Sequence, residues 1–237
     1  MSWKSWIGVF AICLLSYEML GAPANSTELY MQVKRAYFKN LPRDFVANVS
    51  GSEIDKSVKK IPADSHCGGK KPKVTYLFLK GQEESIIVEN VENPFVTRFQ
   101  THLEVYKSAK SFLDRTKSYS DIQKVFQWDY LPGQSARYYV VKMRKHRVRK
   151  SDYFLLEIDK RNYSIVRAVQ YSHGKAIATI NVSYQYTGQY LLPHIISVKI
   201  NKDKAKRNFQ LKMTGHKLNL GLNSDKIIDL QNDCPSI

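Results

Sequence analysis

The side chains with the widest chemical range near neutral pH are six histidines, His66, His102, His146, His173, His194 and His216. They are scattered along the chain without metal-ligand spacing. No G-x-S-x-G elbow activates a serine, and no glycine-rich loop cradles a phosphate. Cys67 follows His66, but neighbours in sequence do not make a nucleophile and base, and a structural disulfide accounts for Cys67 better. The expectation is a protein that is not an enzyme and needs no cofactor or metal.

Charge is the second chemical feature. The 237 residues hold 37 Lys and Arg against 21 Asp and Glu, a formal net charge of +16. Such an excess favours anionic partners such as phospholipid surfaces, acidic polymers or nucleic acid. It is densest between Lys142 and Lys150, where Lys142, Arg144, Lys145, Arg147, Arg149 and Lys150 fall within nine residues. One reading is a solvated hairpin tip. The other is contact of Arg144, Lys145, Arg147 and Arg149 with anionic head groups, each such charge contributing about 1 kcal/mol near the surface. Nucleic acid is suggested by charge alone, and the export signal argues against it.

That signal is residues 1–24. Lys4 forms a small positive region, Trp6 to Leu15 a short apolar one, and Ala22-Pro23-Ala24 an A-x-A cleavage site. The apolar run is too short to span a bilayer comfortably. Phe10-Ala11-Ile12 before Cys13 is a poor lipobox, so a lipid anchor is not expected. Beyond the signal, Cys67 and Cys234 form an even pair, which in an oxidising compartment suggests one disulfide, the alternative being two separate thiols. Sequons start at Asn25, Asn48, Asn162 and Asn181 and matter only in a eukaryotic secretory route.

The elements that must position these residues are mostly strands. Asn25-Ser26-Thr27-Glu28 has capping-box form, and Leu29, Val33, Ala36, Tyr37 and Leu41 recur at helical spacing until Leu41-Pro42 stops the helix. Asp44 to Gly51 alternates as a strand. Ser52 to Lys73 reads as its continuation plus a long loop. Lys73 to Leu79 and Glu84 to Val91 are strands around a Lys80 to Glu83 turn. Asn93-Pro94 starts a helix to about Arg115, with Phe95, Phe99, Leu103, Tyr106 and Phe112 on one stripe. Ser120 to Tyr130 suggests a second helical piece. Strands follow over Arg137 to Arg144, Phe154 to Asp159, Ser164 to Tyr171, Ala176 to Tyr184, and His194 to Ile200, with Pro193 at or just before the start of the last. Phe209, Leu211 and Met213, then Leu218, Leu220 and Leu222, continue the alternation. A single domain over residues 25–237 is the economical organisation, with a curved antiparallel sheet and helices against it.

Alternation gives that sheet a dry face. Phe45 and Val49 share it, as do Tyr76 and Phe78. Ala178, Ile180, Val182 and Tyr184 form the clearest set, and Ile196, Val198 and Leu211 extend it. Phe99 approaches from the helical stripe. These residues line either a packed core or an apolar cavity roofed by helices, and the pattern alone leaves both open.

The opening helix Leu29 to Tyr37, followed by Asp44 to Gly51, resembles the start of the periplasmic lipoprotein carrier (LolA-like) proteins. Phe154 to Asp159, Val166 to Tyr171, Gly174-Lys175 and Leu191-Leu192-Pro193 are similar to that family's later hairpins, and Lys217 to Asn223 to its last strand. The resemblance spans most of the chain after the signal. It implies an incomplete, half-open β-barrel covered by helices, in a monomer exported to the periplasm. It also implies an apolar cavity that carries acyl chains of lipid or lipoprotein in outer-membrane lipoprotein sorting. An envelope interaction or sensor protein of the same fold, binding protein or an anionic surface without carrying lipid, is the alternative. No position matches the carriers' gating arginine, so that role is not carried over.

Overall fold

Asn25 closes the first turn of helix α1 (Ser26–Lys39): its side chain accepts the Glu28 backbone N–H at 2.9 Å, and the Glu28 carboxylate reaches back to the Ala24 N–H at 2.8 Å. The computed structural model describes residues 22–79, 85–91, 119–202 and 205–223. The signal segment up to residue 21, the expected helix from Asn93 to about Arg115 with Phe99, and Cys234 lie outside them.

After α1 come strand β1 (Asp44–Ser50), helix α2 (Ser52–Val58), two short 3-10 turns, β2 (Lys73–Leu79) and β3 (Ser85–Glu89). Helix α3 (Tyr119–Val125) leads directly into β4 (Phe126–Leu131), followed by β5 (Tyr138–Lys145) and β6 (Tyr153–Asp159). The series ends with β7 (Ile165–Ser172), β8 (Lys175–Thr187), β9 (Tyr190–Lys202) and β10 (Ala205–Leu218). The ten strands of the described residues join one sheet in the order β3-β2-β1-β10-β9-β8-β7-β6-β5-β4. Each neighbouring pair is antiparallel. Strands β4 to β10 form an unbroken meander, and β1 returns beside β10. The sheet is not closed, because β3 and β4 stand at opposite edges. This is the mostly β, curved antiparallel sheet that the alternating runs predict, left open like a half-barrel as the family resemblance implies.

The dry face holds the main core. Leu29, Tyr30 and Val33 of α1 are buried against it, each burial stabilising by about 1.5–3 kcal/mol. The start of α1 is pinned to the β4 edge: Ser26 Oγ accepts the Tyr130 N–H at 2.8 Å, and Tyr30 meets Trp128 edge-to-face at 5.6 Å. A smaller cluster on the other face joins Leu77, Leu79 and Ile87 to Leu222.

Four expectations are corrected. Ser52 to Val58 is helical rather than strand, because Gly51 breaks the run: a Cβ there would stand 2.0 Å from the Gln210 carbonyl oxygen, so the backbone meets β10 too closely to continue with a side chain. Ile54 then plugs into the core. The helical piece from Ser120 ends at Val125, and Phe126 to Leu131 is a strand whose alternation pairs Trp128 with Met143 and Tyr130 with Val141. Pro193 lies inside β9 instead of at its start; it sits opposite Tyr184 beside a register shift, where the ladder does not need its missing donor. The expected strand through Leu218, Leu220 and Leu222 stops at Leu218, since Asn219 takes a positive φ of 52° and the backbone turns onto Asp44.

Candidate functional site

Helix α1 crosses the dry face, and its last turns stand off from the strands beneath. Val33 and Tyr37 project from the helix, and Leu41 follows its end. Opposite them are Phe45 of β1, Tyr76 and Phe78 of β2, and Ile180 and Val182 of β8. Between the two layers is a cleft of about 810 Å³ of empty space, counting the open solvent at its mouth. The part open to the centre of a water molecule is about 60 Å³, room for several waters at about 10–15 Å³ each. Ile165, Ala168 and Leu191 complete an apolar wall, while Asn40, Asn162 and Ser164 bring polar groups to the site.

Local bonding fixes this frame. Phe45 stacks on Phe78 at 5.1 Å and tilts against Tyr76 at 5.5 Å, so β1 and β2 present one aromatic surface. Tyr184 donates its hydroxyl to the Ile165 carbonyl at 3.0 Å, which ties β8 to the start of β7 across the floor. The β6–β7 turn is held by Asp159, whose buried carboxylate accepts the Arg161 backbone N–H at 2.9 Å and the Arg161 guanidinium at 2.8 Å. The Arg161 hydrogen bond pulls the Asp159 carboxyl below its ordinary range. Asn162 Oδ1 accepts the Ser164 N–H at 3.0 Å in the same turn. Tyr163, at a φ of 56°, stacks on Tyr139 at 5.7 Å. Burial, then the hydrogen bond its hydroxyl donates to Tyr139, pushes its phenol well above the usual value, so it stays neutral. His216 lies behind Phe45 at 5.9 Å with its Nε2 3.2 Å from the Pro193 carbonyl.

Of the residues assigned to a cavity from the sequence, Phe45, Tyr76, Phe78, Ile180, Val182 and Tyr184 stand around this cleft. Val49, Ile196, Val198 and Leu211 lie in the packed core beside it, and Ala178 is buried in β8. Phe99 is outside the described residues. Val33, Tyr37 and Leu41 complete the roof, and the helical stripe on which they recur is the signal that marks them. The β6–β7 turn residues carry no such signal, because a turn at the cleft and a turn in solvent read alike.

The basic run is elsewhere. Arg144 donates to Gln127 Oε1 at 2.6 Å, and Lys145 lies 5.7 Å over the Phe126 ring. Arg147 and Arg149 are exposed in the β5–β6 loop. No group of three His, Cys, Asp or Glu that could hold a metal occurs among the described residues, His66, His146, His173, His194 and His216 included. No described helix is long and apolar enough to cross a membrane.

No protein-family model and no curated protein matches the chain. Among solved structures it is similar to a DUF1329 family protein from Desulfovibrio piger, at 12% identity over 89% of this chain and 100% of that one, with a TM-score of 0.49. It is similar to a domain described as outer membrane lipoprotein-sorting from Vibrio parahaemolyticus, at 13% identity over 86% of this chain and 96% of that one, with a TM-score of 0.47. A LolA superfamily protein from Nitrosomonas europaea matches at 13% identity over 86% of this chain and 97% of that one, with a TM-score of 0.47.

Proposed function

We propose that the chain is an exported binding protein, of one domain after its signal, whose cleft takes an acyl chain of a lipid or lipidated protein and carries it through the cell envelope. The observation that supports this is the unfilled apolar cleft between α1 and the dry face. A core built only for stability closes such a gap, since empty apolar volume destabilises by about 24 cal/mol per Å³. Walls made of Phe45, Phe78, Ile180 and Val182 match the chemistry of a hydrocarbon chain, and Arg167, the charged side chain among the lining residues, is paired with Glu157 at 2.8 Å. The polar groups of Asn40, Asn162 and Ser164 suit the head-group end of such a ligand.

A second reading is favoured by the narrowness of the gap. With about 60 Å³ open to water centres, the protein as it stands holds little more than a segment of chain. An envelope protein of the same architecture, binding another protein without carrying lipid, would need no more. Organic extraction of the purified protein followed by mass spectrometry decides between them. A stoichiometric fatty acid or phospholipid supports carriage. An extract free of lipid, together with failure to take up added fatty acid, removes it.

A further inference from the structure

The hairpin loops joining β5 to β6 and β7 to β8 end side by side, at the far end of the strands from the cleft. The second has two loop residues, His173 at a φ of 51° and Gly174 at 74°, the left-handed pair that a tight hairpin uses. Gly174 donates its N–H to the Ser151 carbonyl at 3.1 Å, and His173 donates its N–H to Asp152 Oδ1 at 2.7 Å. The Arg149 guanidinium meets the His173 ring. Behind the loops Tyr153 stacks on Tyr171 at 4.6 Å. The end of α3 joins the same surface, because the Val125 carbonyl accepts the His146 N–H at 2.9 Å. Three segments distant in sequence are thus knit into one tip.

The tip is cationic with an apolar centre. Lys145, Arg147, Arg149 and Lys150 are all exposed, with no acidic residue between 145 and 150, and Lys124 and Lys175 add charge beside them. Asp152 is the carboxylate in contact, and the His173 N–H and nearby Arg149 hold it ionised at its base. Val148, at the apex between Arg147 and Arg149, is 39% exposed, and Val125 is 44% exposed. An acidic polymer would satisfy the cations and leave both valines in water. A bilayer of anionic lipid offers phosphates to the cations and an interfacial apolar layer to the valines.

We infer that this two-hairpin tip docks the protein on anionic phospholipid membrane, with Arg147, Arg149 and Lys150 against head groups and Val148 entering the interface. The inference is independent of what the cleft holds. Asn162 and Ser164 lie at the opposite end of the eight-residue β7, so docking keeps that end of the cleft roughly 25 Å from the surface at about 3.3 Å per residue.

Flotation of the full chain with vesicles tests it, comparing phosphatidylglycerol mixed into phosphatidylcholine with phosphatidylcholine alone. Wild type should float with the mixed vesicles at low salt only. Arg147→Gln/Arg149→Gln/Lys150→Gln should lose about a hundredfold in partitioning. Arg35→Gln/Lys39→Gln/Arg43→Gln, which removes the same charge on and just after α1, should float as wild type. In Val148→Trp, the indole emission should shift to the blue on mixed vesicles. Equal flotation of the tip variant and wild type, or no flotation of wild type, overturns the inference. Charge-dependent flotation without an indole shift also overturns it, since the cations would then meet the head groups without Val148 entering the interface.

Discussion

Among the described residues, Asp44 makes the side-chain hydrogen bonds with the longest reach in sequence. Its buried carboxylate accepts the N–H groups of Leu220 at 2.6 Å, Gly221 at 3.1 Å and Leu222 at 3.3 Å, which fastens the segment after β10 beside the start of β1. Asp44→Ala would remove the acceptor that three donors share, the buried Leu222 N–H among them, and a loss of about 1–3 kcal/mol in urea unfolding is expected. Asn219 adds to the clasp by accepting the Arg43 N–H at 3.1 Å. His216, one strand away from the cleft, carries the pH dependence. Burial is the main cause that lowers its proton affinity below the ordinary value near 6.5; His194 adds to this, and the Pro193 carbonyl opposes it. As the pH falls through about 6.5, the unfolded chain binds a proton that folded His216 refuses, so stability drops on acidification and is unaffected above that range. Thermal melts from about pH 7.5 to about pH 5 should show this slope, reduced in His216→Gln. An unchanged slope in the variant would remove His216 as its source.

Helix α1 is the element that makes a cleft out of a curved sheet. Its cap is worth about 1 kcal/mol, so Asn25→Ala should lower the melting temperature by a few degrees while leaving the strands intact by circular dichroism. Much of this level was legible in the sequence. The cap, the stripe from Leu29 to Leu41 and the bounds of β2 follow from periodicity, because a face turned to a core must repeat with its element. What was not legible depended on partners far away. Helix α2 reads locally as a continuing strand and loop because the constraint at Gly51 is the Gln210 carbonyl on β10, which no local pattern carries. β4 reads locally as helix because Ser120 to Val125 does form a helix and the change of period falls within one stretch. At the cleft, Ile180 and Phe45 could be assigned to one face from alternation. That Val33 and Tyr37 stand across a gap from them depends on how the helix crosses the sheet, and spacing does not encode it.

At the scale of the whole molecule the two proposed surfaces sit at opposite ends of the strands, the apolar cleft at one and the cationic two-hairpin tip at the other. A disulfide would add a further tie. Cys67 begins a short 3-10 turn whose N–H bonds the Asn90 carbonyl at 3.1 Å, so it is anchored beside β2 and β3. Leu222 packs on Leu77 and Leu79 of the same edge, and the residues from there to Cys234 can span tens of Å at about 3.3 Å each. We therefore expect a Cys67–Cys234 bond, seen as one linked peptide in a non-reducing digest, and a loss of about 2–5 kcal/mol on Cys234→Ser. Two unlinked cysteine peptides would refute it. The most direct test of the cleft is a fluorescent fatty-acid titration run side by side on wild type and Ile180→Trp, with a thermal melt of each. Wild type should saturate. The variant, whose indole occupies the space between β8 and α1, should bind at least about tenfold more weakly while melting close to wild type. A wild type that takes up no fatty acid, with an Ile180→Trp protein destabilised by about 1–3 kcal/mol, would show a filled core in place of a binding cleft.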